Sequence, residues 1–168
     1  MTQTDILPAT KKDLPLIQRL ARRIWSDHYP GIITQEQIDY MLTKDYALKK
    51  LEADIDSGVM YLLLHVNDQA EGFAAWGPTD HSGEAKLHKI YLSVNLHGKG
   101  FGSQLLAVVE KGCISASCHR LILQVNKQNH KAIKSYNRNG FIVEREIVVD
   151  IGHGFVMDDF LMTKNLEA

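Results

Sequence analysis

Apolar residues recur along the first third of the chain with the period of a helix. Ile17, Leu20, Ala21 and Ile24 share one face after the start signal Asp13-Leu14-Pro15, which predicts a first helix that stops near Pro30-Gly31. A second, short helix is predicted behind Thr34-Gln35-Glu36-Gln37, a capping-box-like start, with Ile38, Met41 and Leu42 inside it. Leu48 and Leu51 carry helical spacing through 46–55. The pattern then changes from helix to strand. Residues 59–66 and 73–76 flank Asn67-Asp68, a hairpin turn signal, and predict an antiparallel pair; 86–92 predicts the next strand. Leu105, Val108, Val109, Gly112, Cys113 and Ala116 give one apolar face to a further helix, and 121–125 reads as a buried central strand. No internal repeat or low-complexity linker interrupts this order.

Between the strand at 86–92 and the helix that carries Leu105 stand Gly98, Gly100 and Gly102. Glycine lets backbone approach a ligand closely and adopt positive φ, while a helix N-terminus offers unpaired N–H groups with partial positive charge. Together they suit a pyrophosphate. Two familiar phosphate motifs do not fit: a Walker loop needs Lys then Ser or Thr after its last glycine, where this chain has Ser103-Gln104, and the dinucleotide fingerprint needs G-x-G-x-x-G. Further on, 123–141 reads as a strand end, a loop and a short helix closed by Asn139-Gly140, a left-handed helix stop.

These two segments resemble the signatures of one family. H-G-K-G-F-G at 97–102 is similar to the Q/R-x-x-G-x-G/A motif of the GNAT superfamily of acyl-CoA-dependent N-acetyltransferases, and V-N-x-x-N-x-x-A-I-x-x-Y-x-x-x-G-F at 125–141 resembles its second motif. The resemblance extends over essentially the whole chain, with a first strand near 5–8 and a final one around 157–164. It implies a single acetyltransferase domain over 1–168 and an α/β fold: a GNAT-like mixed, twisted sheet of six or seven strands flanked by about four helices and splayed at the coenzyme site. One departure is His97, which stands where the family has Gln or Arg.

Composition narrows the alternatives. With 168 residues, 45% of them hydrophobic and 23% charged, the chain is long enough for a sizeable core. A net charge of −1 and scattered lysines leave no electrostatic footprint for nucleic acid or an anionic membrane. Cys113 and Cys118 suit neither a metal site nor a disulfide framework and read as packing thiols, so no metal is expected. The N-terminus lacks a secretory pattern and no stretch approaches the ~18 apolar residues of a membrane span, from which a soluble, cytoplasmic protein is expected.

The resemblance implies the chemistry: acetyl-CoA and a primary amine bind together, and the amine attacks the thioester directly. On the family pattern the backbones of Ile90 and Leu92 pair with the pantetheine arm, while His97, Gly98, Lys99, Gly100, Phe101, Gly102 and Ser103 hold the pyrophosphate. Asn129 contacts the coenzyme, a role compatible with helix capping, and Tyr136 faces its sulfur. Many relatives carry a glutamate base on the strand before the glycines, where this chain has Lys86. Alternation predicts that residues 84, 86, 88, 90 and 92 share one face, which leaves Glu84 and His88 as candidate bases, His88 acting through water. Asp27, His28 and Tyr29 at the close of the first helix are candidates to line the amine pocket, as are Asp158 and Asp159. The runs IWSDHYPGIITQEQIDYML and DDFLMTKNL resemble bacterial polyamine (spermidine/spermine) acetyltransferases; the same scaffold also serves protein amines and commonly forms homodimers. The Lys86 departure keeps a second class open, a non-catalytic acyl-CoA-binding sensor. The segment 148–155 is open as a partner surface, a cleft loop or neither.

Overall fold

Local signals set most element ends. In the computed structural model, which describes residues 2–167, β1 (Thr4–Pro8) leads to α1 (Leu14–His28), which has Pro15 in its first turn and is capped by Tyr29 just before Pro30. Proline has no N–H to continue the helix. α2 (Gln35–Asp45) begins with Thr34 Oγ1 accepting the Gln37 amide at 3.1 Å. Extended backbone at Ala47, with ψ 140°, divides it from α3 (Leu48–Asp56). That break brings the α-helices among the described residues to five, where about four were expected.

Asn67 and Asp68 take φ values of 50° and 64°, the two left-handed positions of a tight hairpin turn, and join β2 (Met60–Val66) to β3 (Gln69–Pro78). There follow β4 (Glu84–Leu92), α4 (Phe101–Ser115), β5 (Arg120–Asn126), α5 (His130–Arg138), β6 (Ile142–Gly152) and β7 (Phe155–Asn165). Sequence patterning gave no sign of β6, because its first half lies exposed and only Ile147, Val149 and Ile151 in its second half alternate inward.

The seven strands form one mixed sheet in the order β1-β2-β3-β4-β5-β7-β6. All neighbours are antiparallel except β4 and β5, which pair in parallel only over Glu84–Leu87 and Arg120–Leu123. Beyond those positions the two strands part. One core, built on Ile17, Trp25, Tyr46, Leu51 and Phe73, fills the face covered by α1, α2 and α3; the other, built on Leu87, Leu105, Val109, Leu121 and Phe141, lies under α4. The parting of β4 from β5 opens a cleft between them.

Candidate active site

The cleft has a volume of about 1160 Å³ and runs from the glycine loop to the ends of α2 and α3. At the loop end, Gly98 and Gly100 have φ values of 76° and 86°, and Gly100 is the residue that opens α4. A Cβ at either would meet nothing within 4 Å, so it is the left-handed backbone that calls for glycine. The first bond into the helix runs from the Gln104 amide to the Gly100 carbonyl, which leaves the amides of Phe101, Gly102 and Ser103 ahead of the ladder. No acidic side chain occupies that first turn. Gly98, Gly100, Gly102 and Ser103 line the cleft, and the side chains of Lys99 and Phe101 do not. His97 lines the cleft as well, and its Nε2, 3.2 Å from the Leu92 carbonyl, ties the loop to β4.

Across from the loop, Lys131, Lys134 and Arg138 of α5 also line the cleft. Sequence reading passed over them because the lysines seemed scattered; their shared feature is spacing by helical turns. Asn129 is buried and its Oδ1 accepts the Ala132 amide at 3.4 Å, an N-cap at the cleft wall. Tyr136 packs against Phe141 with ring centroids 5.7 Å apart, and burial raises its phenol above the ordinary range.

β4 corrects the expected alternation. Ala75 pairs with Lys89 but Trp76 pairs with Leu87, so His88 is an extra residue, a bulge, and the parity of the strand reverses across it. Ile90 and Leu92 therefore join Ala85 and Leu87 against the α4 core, while Lys89 and Tyr91 turn to the α1 side. From His88 onward the edge of β4 that faces β5 has no partner strand among the described residues.

His88 lines the cleft, but desolvation there, followed by the charges of Lys86 and Lys89, pushes its imidazole down to about 4. Such a ring is neutral at pH 7 and a weak proton acceptor. Glu84 is not at the cleft. Its carboxylate accepts hydrogen bonds from Thr79 Oγ1 at 2.8 Å and Arg120 Nε at 3.0 Å, and although burial pushes it up, these bonds hold it below the usual carboxylate range. It is a structural ion pair at the closed end of β4, beyond the reach of the parting strands. Asp27 and Asp158 are likewise off the cleft: Asp27 is exposed on α1, and Asp158 pairs with Lys127 at 2.7 Å.

His28 and Tyr29 do line it. Burial and the neighbouring His97 lower the His28 imidazole, and burial pushes the Tyr29 phenol up to about 12. The Tyr29 and Tyr91 hydroxyls lie 3.1 Å apart, beside Trp25 and Tyr46. Deeper in, Lys89 donates to Tyr61 Oη at 3.0 Å and lies 3.6 Å from Asp54, and Lys86 donates to Gln124 Oε1 at 3.1 Å. Asp54, at helical spacing from Lys50, had the pattern of a solvated surface pair, which is why reading the sequence missed it. The 148–155 segment proves to be a cleft wall: Val149 and Ile151 line it, and Tyr40 donates to the Ile151 carbonyl at 2.7 Å.

Residues 18–141 match the acetyltransferase (GNAT) family. The chain belongs to that family. A spermidine N(1)-acetyltransferase of Thermoplasma acidophilum is 27% identical over 145 residues, covering 83% of this chain and 89% of the relative. The crystal structure of the PaiA N-acetyltransferase from the same organism, in complex with coenzyme A, superposes with a TM-score of 0.82 at 25% identity, covering 97% of this chain and 99% of that one. The ribosomal-protein-S18-alanine N-acetyltransferase of Escherichia coli superposes at 0.73 with 17% identity, over 99% and 96% of the two chains. As a GNAT member the chain is an acyltransferase. No helix among the described residues is long and apolar enough to cross a membrane.

Proposed function

We propose that the protein moves an acetyl group from acetyl-CoA to a primary amine, of a small molecule such as a polyamine or of a protein, by direct attack within a ternary complex. The observation that carries this is the parting of β4 from β5 next to a helix start whose first amides are unclaimed. Those amides and the cationic face of α5 fit the anionic end of the coenzyme, and the unpaired β4 edge fits the amides of its pantetheine arm. When bound, the coenzyme supplies the activated thioester.

The chain's own residues have two tasks. An alkylammonium with a pKa of ~10.4 is neutral in roughly one molecule in 2,500 at pH 7, a penalty of ~4.6 kcal/mol that a proton acceptor must offset. The leaving thiolate must also be stabilised. The raised phenol of Tyr136 is a poor donor of its proton outright, so it serves by hydrogen bonding to the developing charge. An acyl-cysteine route has no support: Cys113 and Cys118 are buried away from the cleft, and burial pushes the Cys113 thiol up to about 12. Two free thiols also accord with a cytoplasmic setting.

Thiol release measured across a panel of polyamines, small amines, amino acids and peptide N-termini tests the reading, together with calorimetric titration of CoA. Saturable CoA binding with amine-dependent thiol release is expected. Binding without release for any amine would favour the acyl-CoA sensor, and zero heat of CoA binding would overturn both.

A further inference from the structure

Asp159 differs from every other acid at the cleft. It lies on β7 opposite Asn126 of β5 and Ile147 of β6 and is 5% exposed, yet it lines the cleft. Its Oδ1 has no hydrogen-bond partner among the described residues. Alternation along β7 sends Phe160 and Met162 into the core beneath α4, which turns Asp159 and Met157 to the opposite face, where α1 and α2 pack.

The charged and titratable groups around it are few. Tyr29 approaches from the end of α1, Lys86 from β4, Lys127 from beyond β5, and Asp158 stands beside it. Lys127 is already committed to Asp158 at 2.7 Å and to Glu146 of β6 at 3.2 Å, and Lys86 donates to Gln124. No ion pair claims Asp159 among the described residues. Leaving a buried carboxylate oxygen without a partner is costly, and such groups concentrate where a ligand completes them.

We infer that Asp159 accepts the proton of the acceptor's ammonium group and so produces the amine that attacks the thioester. The inference rests on the acetyltransferase reading above and names its missing base. R–NH3+ gives one proton to the Asp159 carboxylate; the nitrogen lone pair forms the N–C bond to the acetyl carbon and the C–S bond breaks. The second N–H proton passes to the departing thiolate, and Asp159 releases its proton to solvent. Burial, then the charge of Asp158, raises the carboxyl to about 6, with Lys86 and Lys127 opposing. It is therefore ionised at neutral pH and a stronger proton acceptor than His88.

The test compares wild type, Asp159→Asn and, as control, Asp158→Asn, using an amine that the panel shows to be acetylated. For Asp159→Asn, kcat/KM is expected to fall by about 100-fold or more, and the limb of its pH profile near 6 to disappear. CoA should bind calorimetrically as before, and the melting temperature should hold or rise because an unpaired buried charge is gone. Asp158→Asn should keep the rate and retain a limb, moved to lower pH because a negative charge beside Asp159 is gone. Asp159→Glu, which restores a carboxylate, should recover a limb even if slow, and covers the case in which the Asn variant does not fold. Retention of the limb in Asp159→Asn, or a rise in KM with unchanged kcat, overturns the assignment. Absence of turnover by wild type with every amine overturns the acetyltransferase reading itself, and this inference with it.

Discussion

Tyr136 and Glu84 show how two titratable side chains in one sheet-and-helix framework acquire different work. Tyr136 faces the cleft with its phenol kept protonated by burial. Replacement by Phe removes one hydrogen-bond donor and little volume, so kcat is expected to fall about 10- to 100-fold with CoA affinity nearly unchanged. Steady-state kinetics beside calorimetry check this, and unchanged turnover would remove Tyr136 from the mechanism. Glu84 instead joins Thr79 and Arg120, and Arg120 in turn reaches Glu144 at 2.8 Å. Glu84→Gln should lower stability by about 1–2 kcal/mol with kcat/KM within twofold. Its carboxyl is held low in the folded state, so the stability it adds is present above the usual carboxylate pKa and is lost as pH falls. Denaturation at pH 7 and pH 3 should therefore show the difference between wild type and variant shrinking in acid. The structure places the glycines, Asn129 and Tyr136 at the cleft; the glycines were legible from type and spacing, Asn129 and Tyr136 only through the family resemblance. Asp54 and Lys89 were not, because a buried ion pair and a solvated one look the same along a chain.

Helices and strands were read more fully than the site. Hydrophobic periodicity and end signals located α1, α2, α4 and the β2–β3 hairpin, since each has one buried face and a residue-specific stop. What period-two reading could not supply is the bulge at His88, because an extra residue leaves the composition of a strand unchanged while reversing everything after it. That reversal is why Ile90 and Leu92 pack toward α4 instead of sharing a face with Lys86. β6 escaped for a related reason: its first half is exposed and charged, and its inward positions, Ile147, Val149 and Ile151, stand beside an exposed Val148 that blurs their alternation. α5 makes a prediction at this scale. Lys131→Gln with Lys134→Gln should weaken CoA binding by about tenfold or more and flatten its salt dependence, since exposed cations act through screened charge. Titrations at two ionic strengths measure it, and equal affinity at both would show that the α5 face is not used.

Across the whole molecule, the sheet is joined through its middle by a short parallel segment, Glu84–Leu87 against Arg120–Leu123, with separate cores on its two faces. The arrangement places the glycine loop, Tyr136 and Asp159 around one cleft although they come from distant parts of the sequence. Family resemblance anticipated that splay; composition could not, because it reports how much can be buried and says nothing of where strands separate. A coenzyme lying in the gap would act as mortar between two panels. In heavy water, those backbone amides within 88–92 that face the open edge of β4 should exchange rapidly in the free protein and slow markedly once CoA is added, while those bonded to β3 and those of β2 change little. Saturation at 100 times Kd should also add about 2.7 kcal/mol of stability, so that the enzyme's resistance to unfolding in a cell would track its supply of cofactor.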